Sequence, residues 1–366
     1  MKHFYITYLK NKNTTDNINF KSILNNITIP VLDYKKTTEY WTITDDTFEK
    51  YKQNDKIKQY ENWLKNLQVP ETSDIRYKTF YIDKKSSNSK RKIDAPDTIL
   101  KSYMTSVKTW LETFPVEHDN AFAYIKNKSV ITTMQKHQQN ESKYFIKIDI
   151  KDFFNSCSFN FVIQTLTKIY PFALLDKQIL EEKLTPCFKN NVLPQGSPTS
   201  PILSNIVMLP FDFQITNILN KFNNGFCYTR YADDIIISAK TYFKPNKIVK
   251  IINNLLGHTP LKINLDKLRF GSINGKNWNL GIMLNKDNIL TPGHINKRNL
   301  NTIINAILNR IQNEEPNPDL IQEVSKLKGL IAWYDSIEEN CATKKLNTIK
   351  TKKNIPQHIL KQYNLN

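Results

Sequence analysis

Cysteine is sparse in this chain, with Cys157, Cys187, Cys227 and Cys341 scattered over 366 residues and no CxxC pair among them. That spacing excludes a zinc ribbon and a disulfide framework, and free thiols in a reducing compartment are the expectation. The opening stretch MKHFYITYLKNKNTTDNINF lacks the long apolar core of a signal peptide. No stretch is expected to approach the length of a membrane span. A cytoplasmic protein with no membrane contact follows as an expectation. There is no internal repeat. Acidic residues are also few relative to basic ones: 34 Asp and Glu stand against 52 Lys and Arg, a formal net charge of +18. Such a surplus points to a polyanion partner, most commonly nucleic acid, although an Asn- and Lys-rich composition alone produces the same sign.

What is present argues for a folded protein. The hydrophobic share is 40%, with 17 Tyr and 19 Phe, and the length suffices for two or three compact units. The first seventy-five residues are polar, with a helix predicted over Asp46–Leu67. YKTFYIDKKSSNSKRKIDAPD reads as a hairpin with a basic tip, and TILKSYMTSVKTWLETF as a helix. KYFIKIDIKDFF, Lys143–Phe154, alternates as a strand: Ile146, Ile148 and Ile150 point one way, Lys147 and Asp149 the other. PQGSPTSPILSNIVMLPFDFQITNIL begins as a loop and becomes an apolar helix. YTRYADDIIIS is a hairpin with Ala232, Asp233 and Asp234 near its turn. A helix closed by Gly257 and the strands LKINLDKLRF and KNWNLGIML follow, and the pattern is helical from Thr291, with a Lys-rich tail from Thr343. Between Phe145 and Leu284 this order suits an α+β fold, an antiparallel sheet backed by helices in the manner of a ferredoxin-like split βαβ unit.

Two adjacent aspartates at the mouth of an apolar strand repel one another, and burying either is costly. An Asp-Asp pair alone reads first as a solvated turn. The second apolar strand ending in Asp149 changes that reading, because neighbouring strands would bring three carboxylates to one sheet edge. Oxygen-only ligands suit Mg²⁺, and a pair of such ions about 4 Å apart clamps the attacking and leaving oxygens of a phosphoryl displacement.

DIKDFF, LPQGSPTSP and YADD, in this chain order, resemble the motifs of the reverse transcriptases, and the likeness runs from about Tyr77 to Tyr334. The resemblance implies a right-hand polymerase: an N-terminal extension over 1–75, fingers over 76–144, a palm over 145–285 with a fingers insertion at about 165–195, and a helical thumb with a basic tail over 286–366. It implies Asp149, Asp233, Asp234 and Lys267 as catalytic residues. Asp149, Asp233, Asp234 and the Ile150 carbonyl would hold two Mg²⁺ ions, with Mn²⁺ as an alternative. Lys267 would stand near the pyrophosphate as a general acid. Lys90, Arg91, Lys92, Phe154, Gln195 and Gly196 would bind the nucleotide, and Leu280 and Gly281 would belong to the strand that grips the primer. Each has a plainer reading: a solvated hairpin tip for Arg91 and Lys92, a helix start capped by Ser197 or Thr199, an unremarkable lysine at 267, a core ring at 154.

Within the family, AYIKNKSVITTMQKH resembles the segment that precedes the first catalytic strand of bacterial retron enzymes, which carry Asn-Ala-x-x-His there and Val-Thr-Gly in the primer-grip strand. This chain has Thr133-Met134-Gln135-Lys136-His137 and Asn279-Leu280-Gly281. A retron-like or defence-associated reverse transcriptase is the expectation. Its implied partners are a structured noncoding RNA template, dNTPs and a DNA product, with an antiphage role; a homo-oligomer or a partner protein stays open. The rivals are an RNA polymerase or non-templated nucleotidyltransferase on the same fold, and a catalytically silent nucleic-acid-binding module. Phe154 speaks against the first, since RNA polymerases usually place Asp at that position.

Overall fold

A computed structural model describes residues 2–5, 40–43, 55–83, 90–113, 117–169, 171–257, 259–275 and 279–365. Two short strands, β1 (Lys2–Tyr5) and β2 (Tyr40–Ile43), pair antiparallel. Helix α1 (Asp55–Asn66) realises the second half of the expected N-terminal helix, and residues 46–54 lie outside the described residues. Its Tyr60 stacks on Trp110 at 4.5 Å, and Trp110 Nε1 donates to the Tyr60 carbonyl. Strands β3 (Tyr77–Asp83) and β4 (Lys90–Pro96) form the expected hairpin; its tip, 84–89, lies outside the described residues. Helix α2 (Thr98–Glu112) starts where the Asp97 carboxylate accepts from Leu100 N at 2.9 Å. Helix α3 (Val130–Gln139) starts with a capping box between Ser129 and Thr132.

The central sheet holds β5 (Tyr144–Ile150), β6 (Phe226–Tyr231), β7 (Asp234–Ala239) and β8 (Ile263–Ser272) in the order β6-β7-β5-β8, every pair antiparallel. Between β5 and β6 lie the single turn α4 (Phe153–Ser156) and helices α5 (Phe159–Leu166), α6 (Lys177–Leu184) and α7 (Ser200–Leu219). Helix α8 (Pro245–Leu256) joins β7 to β8. This is the expected split βαβ connectivity. The strand predicted to run through Phe154 stops at Ile150; Asp152, at φ +46°, starts the helical turn that carries Phe153 and Phe154.

Both faces of β5 are covered. Ile146, Ile148 and Ile150 enter the larger core with α2, α5 and α7, whereas Phe145 enters a second cluster with Met134, Ile236, Leu284 and Leu300. Helix α7 is apolar nearly all round and mostly buried. Among the described residues it is the helix long and apolar enough to cross a membrane by length and composition, with mean hydropathy 1.3. The expectation that no stretch approaches that length is thereby corrected: a helix buried on all sides in a protein core reads like a span.

Of the stretch KNWNLGIML, the described residues 279–282 form a turn in place of the expected strand. Residues 276–278 lie outside the described residues. Asn279 and Ile282 exchange two backbone hydrogen bonds at 2.9 Å, and Leu280 and Gly281 between them take φ +55° and +83°. Positive φ at both central residues is the hairpin geometry whose twist suits antiparallel strands. Only Met283–Leu284 continues as β9, paired with β10 (Leu290–Thr291). The chain from Gly293 onward is helical: α9 (Gly293–Asn313), α10 (Pro318–Ile337), α11 (Cys341–Lys353) and α12 (Gln357–Gln362). The Lys-rich tail is therefore ordered, and Ala342 and Leu346 of α11 pack into the second cluster.

Candidate active site

Antiparallel register puts Asp149, one residue from the end of β5, directly opposite Asp234, the first residue of β7. Asp233 lies in the two-residue loop that joins Tyr231 to Asp234. Ala232 takes φ +56°, so this tight turn holds a non-glycine residue in a left-handed conformation. Ile150 N donates to the Asp233 carbonyl at 3.0 Å, which stitches the turn to the end of β5. Burial first, then the charges of Asp234 and Asp149, push the Asp233 carboxyl up to about 6. Asp234 is raised too, by burial and by Asp149, against the pull of Lys147.

Lysines compensate much of this charge. Lys267 Nζ lies 2.9 and 3.1 Å from the two Asp149 oxygens, and Lys147 Nζ lies 2.9 Å from Asp234 Oδ1. Asn264 Nδ2 also donates to Asp149 Oδ2, at 3.2 Å. Asp233 has no ion pair among the described residues. The three carboxylates come to one sheet edge as expected, but no group of three or more His, Cys, Asp and Glu forms a metal cage among the described residues. Lysine ammonium groups hold two of the three. The donor set is nonetheless all oxygen, and Asp233 has no ion pair among the described residues, which fits a hard divalent cation.

Lys267 reaches Asp149 because β8 departs from the sheet. Lys147 pairs with Arg269 and Asp149 with Asn264, so Leu265–Leu268 bulges out opposite Ile148 alone. The hydrogen bond to Asp149 raises the Lys267 pKa. In this arrangement Lys267 is a counter-ion and a poorer acid than an isolated lysine.

A buried network supports the turn from beneath. Arg230, fully buried, donates from Nε and Nη2 to the two Asp212 oxygens at 2.8 and 2.6 Å, and from Nη1 to Asn205 Oδ1 at 2.9 Å and the Ala232 carbonyl at 3.3 Å. Tyr228 donates to the same carboxylate. A buried charge needs such a partner, and Arg230 thereby ties the backbone beside Asp233 to helix α7. Sequence reasoning passed over Arg230, Asp212 and Lys147. The available signals were a charged residue at an inward strand position, a lone acid in an apolar helix, and a lysine on the same strand face as Asp149.

On the fingers side, Asp94 N donates to the Gln195 carbonyl at 2.7 Å, which docks β4 on the PQG loop. Gly196 has φ +112°, and a Cβ there would meet Ile93 Cγ2 at 2.9 Å and the Asp94 carbonyl at 3.1 Å, so glycine is required. Thr199, the residue before α7, makes no side-chain cap bond, and its N donates to Ser197 Oγ at 3.2 Å. Lys90, Arg91 and Lys92 do not form one cluster. Strand alternation sends Arg91 to the face opposite Lys90 and Lys92, and Lys92 pairs with Asp94 at 3.4 Å. Phe154 is half-buried, its ring centroid 5.6 Å from that of Phe153. Leu280 and Gly281 sit in the tight turn described above. His137, the residue shared with the retron pattern, is buried between Thr229 Oγ1 at 2.7 Å and Ser238 Oγ at 2.5 Å. Burial first and Lys136 second hold it down to about 3, so it is a neutral core residue.

A sheet edge of carboxylates on a split βαβ unit, faced by a basic hairpin, defines a template-directed nucleotidyltransferase of right-hand polymerase fold. The chain belongs to the reverse transcriptases: the family described as reverse transcriptase (RNA-dependent DNA polymerase) matches residues 82–295. It is an RNA-directed DNA polymerase that binds an RNA template and a DNA product, and enzymes of this family generally use divalent metal ions. The chain is similar to the retron Ec73 reverse transcriptase of Escherichia coli, 30% identical over 236 residues, 62% of this chain and 72% of that one. It is also similar to the retron Ec83 reverse transcriptase of the same organism, 27% identical over 275 residues, 72% of this chain and 83% of that one. It is thus retron-like despite its departures at 133–134 and 279–280. Among solved structures, a telomerase from Candida albicans resembles it at 11% identity and a TM-score of 0.46, over 94% of this chain and 74% of that one. A likeness at that level bears on neither substrate nor partner.

Proposed function

We propose that this enzyme copies a structured noncoding RNA into DNA at Asp149, Asp233 and Asp234, with Mg²⁺ as the divalent ion, in defence against phage. The register pairing of Asp149 with Asp234 across β5 and β7, with Asp233 in the adjoining turn, carries this reading. Fingers over 76–144, a palm over 145–285 and a thumb over 286–366 are the corresponding division. Four free cysteines suit the reducing cytoplasm.

In the reaction the primer 3′-oxygen bonds to the α-phosphorus of a dNTP, and the bond from that phosphorus to pyrophosphate breaks. Bound Mg²⁺ ions would lower the pKa of the 3′-hydroxyl and neutralise the leaving pyrophosphate. The three carboxylates would hold them, once Lys267 and Lys147 yield their places. Lys267, 61% exposed at the end of its bulge, is free to turn toward the pyrophosphate when it does. Arg91 offers a guanidinium to the triphosphate. Phe154 sits one helical turn past the strand, where a ring would crowd a ribose 2′-hydroxyl. The net charge of +18 supplies the electrostatic attraction for an RNA partner.

The test is to purify the protein, sequence the RNA and DNA that accompany it, and run primer extension with dNTPs and Mg²⁺. One dominant structured RNA, with complementary DNA attached or alongside, is the expected result. Random host RNA would count against the template assignment, and absence of extension against the site assignment.

A further inference from the structure

The segment before α3 extends the central sheet. Arg230 N donates to the Asn120 carbonyl and Phe122 N donates to the Arg230 carbonyl, both at 2.8 Å, so residues 120–122 run parallel to the end of β6. Asn205 Nδ2 then pins the Ala123 carbonyl at 2.8 Å, and Lys128 Nζ clamps the loop through the Ala121 carbonyl at 2.7 Å. The next residue, Tyr124, is thereby delivered beside Tyr231-Ala232-Asp233.

Tyr124 has two features that ordinary packing does not explain. Its φ is +62°, an outlier for a bulky side chain. Such strain persists where the surroundings over-determine it, and it clusters at working sites. The residue is also 54% exposed, so it is not a core ring. Yet desolvation is the first cause that raises its phenol pKa, followed by the charges of Asp233 and Tyr231, with Arg91 opposing them. The parallel bridge of Ala121 to Arg230 sets Tyr124 beside the turn that carries Asp233, with more than half of its surface open to solvent. A flat π-face held there by strained backbone has one fitting class of occupant, another flat π-face.

We propose that Tyr124 is a stacking ledge for a nucleobase at the reaction centre, a specificity-neutral positioning contact. The inference rests on Asp149, Asp233 and Asp234 being the catalytic carboxylates. Base–aromatic stacking tolerates every base, so the ledge would serve copying of any sequence. The base belongs either to the incoming nucleotide or to the terminal pair of the primer–template duplex.

Two substitutions test this. Tyr124→Phe keeps the ring and drops the hydroxyl. Tyr124→Asn removes the ring and tolerates a left-handed backbone, so its fold should be at least as stable. Steady-state primer extension, duplex binding by anisotropy, and thermal melting are measured for both, with Asp233→Asn as a control. Tyr124→Phe is expected to match the wild type. Tyr124→Asn is expected to weaken one binding constant about tenfold or more, with kcat within a few-fold and no loss of Tm. A rise in dNTP KM with unchanged duplex affinity assigns the base to the nucleotide, and the converse assigns it to the duplex. Wild-type values of both constants in Tyr124→Asn overturn the ledge, as does an equal loss in Tyr124→Phe. An active Asp233→Asn control would instead remove the site reading itself. A melting loss in Tyr124→Asn would mark the residue as structural and equally overturn the ledge.

Discussion

Asp233→Asn moves two readouts in opposite directions. In the metal-free protein the Asp233 carboxyl is pushed from 3.8 to about 6, by burial first and then by its acidic neighbours. One unit corresponds to about 1.4 kcal/mol, so holding this group ionised at neutral pH costs up to roughly 3 kcal/mol. The side chain is only half-buried, and solvent screening reduces the figure to about 1–2 kcal/mol. Asparagine keeps the shape and removes the charge. In EDTA at pH 7.5 the variant should therefore melt about 2–4 °C above the wild type. The folded-state pKa lies above the unfolded one, so wild-type stability falls as pH rises from about 4 to about 6. The gap between the proteins should accordingly close as pH falls toward 4. Added Mg²⁺ should reverse the order, raising the wild-type Tm more than the variant's, and the variant should make no DNA. Differential scanning fluorimetry across pH, with and without Mg²⁺, reads the first effect, and primer extension the second. A variant that polymerises like the wild type, or melts no higher than it in EDTA at pH 7.5, refutes the reasoning.

Phe154→Ala should relax sugar choice, with discrimination against ribonucleotides falling by ~10²-fold if about 3 kcal/mol of clash and stranded hydroxyl is removed; single-turnover incorporation of each nucleotide type measures it, and an unchanged ratio makes Phe154 a core ring. His137 acts on stability with the opposite pH sign to Asp233. Its folded value of about 3 lies below the unfolded one, so stability present above pH 6.5 drains away as pH falls toward 3, and His137→Leu should flatten that part of a Tm–pH curve. Arg230→Met strands a buried Asp212 and should cost about 3–5 kcal/mol in urea unfolding, most of it recovered in the Arg230→Met/Asp212→Leu double variant; additive losses would show that the pair is not coupled.

The palm was legible because its information is periodic. Ile146, Ile148 and Ile150 alternate with Lys147 and Asp149, and that pattern alone fixes which face of β5 meets the core. The hairpin at Ala232 and Asp233 was legible for the same reason. Pairings between distant segments were not. Nothing near Asp234 in the chain announces Lys147, which reaches it only through the β5–β7 register. Arg230 and Asp212 each look like a stray charge in an apolar run until strand and helix are stacked. Leu280 misled because leucine seldom takes positive φ, so an apolar run through it reads as a strand. The three lysine and arginine side chains of KRK read as one patch in one dimension, but a strand divides them between two faces.

The bulge at Leu265–Leu268 has a bearing on solubility. β8 is the outer strand of the central sheet, ten residues long, and an open edge of that length invites another chain to pair with it. The outward excursion breaks the edge into two short ladders and places Asp266 and Lys267 across the gap. Interrupted, charged edges are how natural sheets avoid edge-to-edge aggregation. The same four residues that carry a lysine to Asp149 thus also interrupt, among the described residues, the outer edge of this sheet, and a deletion that straightens β8 is expected to cost activity and solubility together.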